Sequence, residues 1–283
     1  MRLGGGAVAR RVVAGAVLLA AASPVLAHNG LLDGHSAVPL RLAQALFALA
    51  WLAYLRGALR SPPPPGRHLG FHLTMLLAGL SLFGPFDAWA AQSTAWHMVQ
   101  HMMVMVVIAP LLVLARPLAQ WRTAIGPAAD RLWRRLIGAS RRPMLCALLH
   151  AAAIWSWHAP APYVAALQHT GLHVLEHACF LFTGWLFWWS VLRPGGHRVL
   201  AAAMALLFTA THTGMLGALL TFARAPLYAA ESTDLADQQL AGLVMWIPGG
   251  TVYLLAAAWA GYRWLAGQER RSASTALRAP PAA

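Results

Sequence analysis

The sequence has little charge and little cysteine, and it has no lysine. Of its 283 residues, 10% are charged and eight are acidic, and all 21 basic residues are arginine. The two cysteines, Cys146 and Cys179, lie in different apolar stretches and form no Cys-x-x-Cys pair, so no disulfide framework is indicated. This scarcity of charge argues against a soluble domain.

Apolar residues are abundant instead, at 59% of the chain. This content predicts a polytopic membrane protein, and one membrane domain accounts for the length. A net charge of +13 is also seen in nucleic-acid-binding proteins. Here, however, the arginines lie in short loops between apolar stretches, where membrane topology and anionic lipid head groups account for them. We therefore expect contact with membrane lipids and no nucleic-acid partner.

The first 27 residues have the pattern of a secretory signal peptide. Arg2, Arg10 and Arg11 precede an apolar run, and small residues lead up to Ala27. An uncleaved signal anchor is the alternative, because the apolar run is of borderline length for a membrane span.

Seven apolar stretches follow, each long enough to cross a bilayer. Because helices satisfy their own backbone hydrogen bonds in lipid, we expect an all-α bundle of about seven transmembrane helices over residues 28–268. A cytoplasmic tail without regular structure is expected at 269–283. The predicted spans are 38–57, 68–86, 95–115, 144–163, 171–192, 198–222 and 239–265.

The arginines also predict the orientation of these spans. With the mature amino terminus outside, most loop arginines fall on the cytoplasmic side, and Arg41 and Arg224 are left outside. The positive-inside rule therefore predicts an external amino terminus and a cytoplasmic carboxyl terminus.

Ionisable residues gather in the outer half of this predicted bundle. His97 and His101 lie in the third span, and His173, Glu176 and His177 lie in the fifth. Each histidine pair is spaced i, i+4, so its two imidazoles share a helical face. Because ionisable groups at membrane depth usually carry function, these pairs predict a metal site.

Four further residues are candidate ligands: Met105, His158, His212 and Asp237. Histidine with methionine favours copper, above all Cu(I), over magnesium or calcium. Structural alternatives stay open for each residue type. Methionine also fills gaps between helices, and histidine also forms interhelical hydrogen bonds. Asp237 stands at a helix entry, where a carboxylate is often a cap.

Two other functions are compatible with these residues. The segment from His173 to His177 matches the His-x-x-Glu-His pattern of zinc hydrolases, in which the glutamate activates water. Facing histidines on two helices also ligate haem iron in some proteins. Zinc-dependent hydrolysis and haem handling are therefore the alternatives to a copper site.

Several motifs together resemble the integral-membrane CtaG family of cytochrome c oxidase assembly factors, over residues 40 to 265. The run Asp237 to Trp246, DQQLAGLVMW, is the most specific. The other motifs are His97-x-x-x-His101, APLLVLARP at 109–117, Trp157-His158-x-Pro160, His173-x-x-Glu176-His177 with Trp188, and Pro226-Leu227-Tyr228.

This resemblance implies an assembly factor without catalytic residues of its own. Its expected role is to handle copper, or deliver it, to the oxidase. The implied partners are oxidase subunits and a periplasmic copper chaperone, and the implied location is the bacterial inner membrane.

Overall fold

The computed structural model describes residues 37–127, 130–193, 198–228 and 234–276, and the regular structure within these ranges is helical. The predicted signal peptide at 1–27 lies outside the described residues. The last helix continues to Ala276, into the stretch that we expected to lack regular structure. Glu269, Arg270 and Arg271 at the start of this stretch have good helix propensity, which favours the extension.

The helices follow one another with short connections. In chain order they are α1 (Ala37–Arg60), α2 (Pro65–Phe83), α3 (Pro85–Ala90), α4 (Thr94–Met102), α5 (Ala109–Ala115), α6 (Leu118–Ile125), α7 (Asp130–Ala139), α8 (Pro143–His158), α9 (Pro160–Gln168), α10 (Thr170–Leu192), α11 (Val199–Thr221), α12 (Leu235–Val244) and α13 (Gly250–Ala276). Two π-helical turns, Met103–Ile108 and Met245–Gly249, join α4 to α5 and α12 to α13.

Five helical stretches of the described residues are long and apolar enough to cross a membrane, which confirms a polytopic helical membrane protein. They are Ala37–Arg60, Pro65–Ala90, Thr94–Ala115, Val199–Thr221 and Leu235–Glu269. The predicted fourth and fifth spans correspond to α8 with α9 and to α10. Since these stretches are not among the five, the total of seven spans stays a prediction.

Proline determines where several of these helices begin and end. Pro65, Pro143 and Pro160 each stand at the start of a helix, where a missing N–H group costs no hydrogen bond. Ala159, which precedes Pro160, has an extended backbone with φ −66° and ψ 142°. The predicted span at 144–163 is therefore interrupted after His158, so the imidazole of that residue lies at a helix end.

Helix α10 lies at the centre of the bundle. It packs against α1, α5, α8, α9 and α11 and against the first π-helical turn. Phe180, Phe187 and Trp188 are fully or almost fully buried along it. The Trp188 indole N–H donates to the Met105 carbonyl at 2.8 Å, which supplies a donor where the π-helical turn alters the backbone ladder. This contact fixes α10 against the segment that leads out of α4.

Candidate metal site

The two predicted histidine pairs face each other across α4 and α10. The ring centroids of His97 and His101 are 4.3 Å apart in an edge-to-face arrangement, and those of His173 and His177 are 4.4 Å apart. The His97 and His173 rings are separated by 5.5 Å, and the His101 and His177 rings by 5.3 Å. Two i, i+4 pairs on adjacent helices thus form one cluster of imidazoles.

The carboxylate of Glu176 lies between these imidazoles. Its Oε1 is 3.6 Å from His101 Nε2, and its Oε2 is 3.8 Å from His97 Nε2. One ligand atom each from His97, His173 and Glu176 lie within 4.8 Å of one another, which is the spacing of groups around a shared metal ion. We call His97, His101, His173, Glu176 and His177 the histidine-glutamate cluster.

The cluster is buried and contains polar atoms without hydrogen-bond partners in the described part of the chain. His97, His101 and Glu176 are at most 1% exposed. The atoms concerned are His97 Nε2, both ring nitrogens of His101, both oxygens of Glu176 and His177 Nε2. A buried polar atom without a partner costs about 1 to 3 kcal/mol. A metal ion accepts such lone pairs and balances the buried carboxylate, so these residues fit a metal site.

A thioether and a further imidazole lie beside the cluster. His158 Nδ1 is 2.7 Å from the Ile154 carbonyl, so this nitrogen carries the proton and donates it. The Nε2 lone pair then faces Met98 Sδ at 3.4 Å. Backbone bonding through one ring nitrogen is the usual orientation of a metal-binding histidine. This imidazole nitrogen and thioether sulfur would therefore be close enough to hold one soft metal ion together.

His158 also lies next to the histidine-glutamate cluster. Its ring centroid is 5.5 Å from that of His101, and Met98 precedes His101 by three residues on α4. The Tyr228 hydroxyl donates to the His158 carbonyl at 3.0 Å, which holds the end of α8 in place. Burial raises the pKa of Tyr228 above its usual value, so the hydroxyl keeps the proton that it donates.

Other predicted candidates occupy different places. Met105 is fully buried in the first π-helical turn, where its carbonyl accepts the Trp188 bond. His212 lies on α11 with its ring centroid 5.0 Å from that of Phe208. Its imidazole is buried there and is not one of the residues of the histidine-glutamate cluster.

Asp237 is placed as a helix cap. Its carboxylate accepts hydrogen bonds from the Ser93 hydroxyl at 2.6 Å, the Thr94 N–H at 2.6 Å and the Ala95 N–H at 3.3 Å. These donors form the beginning of α4, so Asp237 anchors the helix that carries His97 and His101. Both of its oxygens accept hydrogen bonds there, so the structure places Asp237 as a support of α4.

A third i, i+4 histidine pair differs from the other two in its hydrogen bonding. The Trp51 indole N–H donates to His72 Nδ1 at 2.9 Å. Neutral His72 then carries its proton on Nε2, which is 3.3 Å from His68 Nε2. The proton left on His68 Nδ1 points to the Tyr54 hydroxyl at 3.4 Å. The ring nitrogens of His68 and His72 are therefore used in a hydrogen-bonded chain. Their lone pairs do not point to one common position, as those of metal ligands would.

Two residues of the site were not among the predicted ligands, Met98 and Tyr163. Met98 lies one helical stripe away from His97 in the sequence pattern, and its contact with His158 depends on how α8 ends. The Tyr163 ring lies 5.4 Å from that of His97 and stacks on Tyr228 at 3.9 Å. No spacing rule connects these residues, because they come from α4, α9 and the segment after α11.

The comparisons with known proteins agree with the motif resemblance. The family model described as Cytochrome c oxidase caa3 assembly factor (Caa3_CtaG) matches residues 45–267, which is most of the chain and includes every residue of the histidine-glutamate cluster. No match is found among curated proteins or among solved structures.

Proposed function

Since the chain belongs to the family of cytochrome c oxidase caa3 assembly factors, we propose that it supports oxidase assembly by holding copper in the histidine-glutamate cluster and passing it on. The observation that carries this proposal is the convergence of four buried imidazoles and one buried carboxylate from α4 and α10. A copper ion bound there is the cargo of the protein.

The chemistry of the ligands favours Cu(I). Imidazole suits copper and zinc alike, but a thioether selects the soft Cu(I) ion. The Met98 and His158 pair adds such a ligand next to His101. Metal transfer requires ligands that exchange, and two adjacent ligand groups allow an ion to move from one to the other without leaving the protein.

The position of the cluster favours exchange on the outer side of the membrane. His97 lies in the first turn of α4, and His173 lies in the first turn of α10. Trp89 and Trp96, each 42% exposed, have ring centroids 4.8 Å apart near the start of α4. Exposed tryptophans of this kind are typical of a membrane interface. In the predicted orientation this interface faces the periplasm, where a copper chaperone and the copper-binding oxidase subunit would meet the protein.

The same geometry gives Glu176 the role of a ligand or charge partner. Both of its oxygens lie near imidazole nitrogens, whereas a hydrolase would aim this carboxylate at a water molecule. We therefore propose that the protein is not an enzyme. Zinc bound without turnover would leave the cluster intact but would contradict the copper assignment.

Metal content is the direct test. The detergent-purified protein is exposed to Cu(I), desalted and analysed by mass spectrometry, together with the double variants His97→Ala/His101→Ala and His173→Ala/His177→Ala. We expect about one equivalent of copper in the wild type and its loss in both variants. The matched control is His68→Ala/His72→Ala, an i, i+4 pair with the other type of hydrogen bonding, which should keep its copper. An equal copper content in all four proteins would contradict the proposal.

Assembly of the oxidase tests the function of the site. A strain that lacks this protein is complemented with the wild type or with the His173→Ala/His177→Ala variant, and copper and activity are measured in the purified oxidase. We expect the wild type to restore both, and the variant to restore neither unless copper is added in excess. Full complementation by the variant would show that oxidase assembly does not depend on the histidine-glutamate cluster.

A further inference from the structure

Three arginines line one cavity at the end of the bundle opposite to the histidine-glutamate cluster. Arg67 stands in the first turn of α2, Arg116 follows α5, and Arg193 follows α10. The cavity has a volume of about 240 Å³, and Trp189 and Pro64 form part of its wall. Along α10, Arg193 lies about 25 Å from Glu176 at 1.5 Å rise per residue. We call this the arginine cavity.

The positive charge of the cavity has no protein counterpart in the described ranges. No ion pair of Arg67, Arg116 or Arg193 is found there. The Arg193 guanidinium lies over the Trp189 ring, 4.7 Å from its centroid. Burial, together with the charges of Arg116 and Arg67, lowers the pKa of Arg193 from its usual value. Three guanidinium groups that repel one another across a cavity favour an anion between them.

Arg116 occupies a backbone conformation that normally belongs to glycine. Its φ of 54° and ψ of 52° place it in the left-handed region, at the end of α5. A side chain there is less stable than glycine, which is the usual residue at such a helix end. An arginine at this position makes the backbone less stable than a glycine would. Its side chain, however, lines the cavity, which a glycine could not do.

Exposed leucines lie next to the cavity on α5. Leu111 and Leu114 are 38% and 58% exposed and are three residues apart, so they share one face of the helix. Leu114 stands two residues before Arg116, which lines the cavity. A lipid whose phosphate lies at Arg116 can therefore place its acyl chains against this apolar face.

We infer that the arginine cavity binds the phosphate of an anionic phospholipid headgroup, with the acyl chains lying along the exposed leucines of α5. Guanidinium groups match phosphate oxygens in paired hydrogen bonds. Basic pockets between transmembrane helices on the cytoplasmic side bind lipid headgroups by this chemistry. In the predicted orientation the cavity faces the cytoplasmic leaflet. The bound lipid joins the inner ends of α2, α5 and α10, whose arginines otherwise repel one another.

Native mass spectrometry of the full chain tests this site. The protein is titrated in detergent with phosphatidylglycerol or with zwitterionic phosphatidylcholine. We expect one phosphatidylglycerol to bind with clear preference, and the variant Arg67→Gln/Arg116→Gln/Arg193→Gln to bind it about 10-fold or more weakly. The charge-matched control Arg56→Gln/Arg60→Gln/Arg131→Gln, also on the predicted cytoplasmic side, should bind as the wild type does. Equal binding by both triple variants, or no preference over phosphatidylcholine, would overturn the proposal.

Inorganic phosphate distinguishes a lipid from a free anion. We expect phosphate at millimolar concentration to leave the bound phosphatidylglycerol in place, because the acyl chains add apolar contacts that phosphate lacks. Displacement of the lipid by phosphate at this concentration would assign the cavity to a free phosphate group and overturn the lipid assignment.

The substitution Arg116→Gly separates lipid binding from folding. Glycine suits the left-handed backbone, so the lipid-free variant should unfold at the same temperature as the wild type or higher. Its phosphatidylglycerol binding should fall, and its copper content should stay unchanged because the metal site is at the other end. If Arg116→Gly binds the lipid as tightly as the wild type, Arg116 is no part of the site and the three-arginine proposal is wrong.

Discussion

Glu176 and Asp237 are both carboxylates among the predicted candidate ligands, but they have different surroundings. Glu176 lies among imidazoles, with its oxygens at 3.6 and 3.8 Å from ring nitrogens. Asp237 accepts three hydrogen bonds from Ser93, Thr94 and Ala95. Removal of each carboxylate should therefore affect a different property of the protein.

We predict that Glu176→Gln lowers copper affinity by roughly 10-fold or more and leaves the fold intact, because the side chain keeps its shape and loses its charge. Asp237→Ala should instead lower the free energy of unfolding by about 1 to 3 kcal/mol through the lost cap. Copper titration and thermal unfolding of both variants measure these effects. Loss of copper from Asp237→Ala at a temperature where this variant is still folded would contradict the separate roles of the two carboxylates.

The contact of the Met98 thioether with His158 leads to a second prediction, about the choice of metal ion. Met98→Leu conserves volume, so its unfolding free energy should change by less than about 1.5 kcal/mol. Its Cu(I) affinity should fall, since the soft ligand beside His158 is lost, and its affinity for Zn(II) should stay the same. Competition titrations with both ions provide the comparison. An equal loss for both ions would show that Met98 only packs against His158.

Among the elements, α11 and α12 approach most closely at a pair of glycines. A Cβ at Gly217 would lie 2.8 Å from the Gly242 carbonyl oxygen, and a Cβ at Gly242 would overlap the Thr221 hydroxyl. Small residues at such crossings let helix backbones touch in a membrane. Since α12 also carries Asp237, this crossing determines where the start of α4 is held.

We predict that Gly242→Ala destabilises the protein by about 1 to 3 kcal/mol, because a methyl group there forces the two helices apart. Gly261→Ala on α13 is the matched control, since no neighbouring atom lies within 4 Å of the added methyl group, and it should be neutral or stabilising. Thermal unfolding in one detergent provides the measurement. Equal unfolding temperatures for the two variants would mean that the crossing tolerates a side chain.

For the whole molecule, the two ends of the bundle have different chemistry. The histidine-glutamate cluster and the exposed tryptophans Trp89 and Trp96 lie at one end, and the arginine cavity lies at the other. The positive-inside rule predicts that the arginine end faces the cytoplasm. This arrangement also separates the proposed copper site from the proposed lipid site.

We predict that reporter fusions confirm this orientation. Alkaline phosphatase is active only outside the cytoplasm, and it should be active when fused after Arg224, in the loop between α11 and α12. A green fluorescent protein at the carboxyl terminus should be fluorescent, because this end is expected in the cytoplasm. The reverse pattern would place the histidine-glutamate cluster on the cytoplasmic side and would exclude a periplasmic copper donor.

Much of the site was predictable because it follows from local periodicity. The i, i+4 spacing of His97 with His101 and of His173 with His177 puts each pair on one helical face in any helix, and lipid forces these stretches to be helical. The family motifs around them point to the same segments. What each pair faces is not a local property, and the similar spacing of His68 and His72 leads to a hydrogen-bonded chain instead.

The sequence by itself determined the helical membrane class, the positions of the long helices and the candidate histidines, because hydropathy and helical period act over neighbouring residues. Only the tertiary structure decided that α4 faces α10, that Met98 meets His158 at the end of α8, and that Asp237 caps α4. These contacts join residues far apart in the chain, so they depend on how the helices pack. The same packing brings Arg67, Arg116 and Arg193 to one cavity.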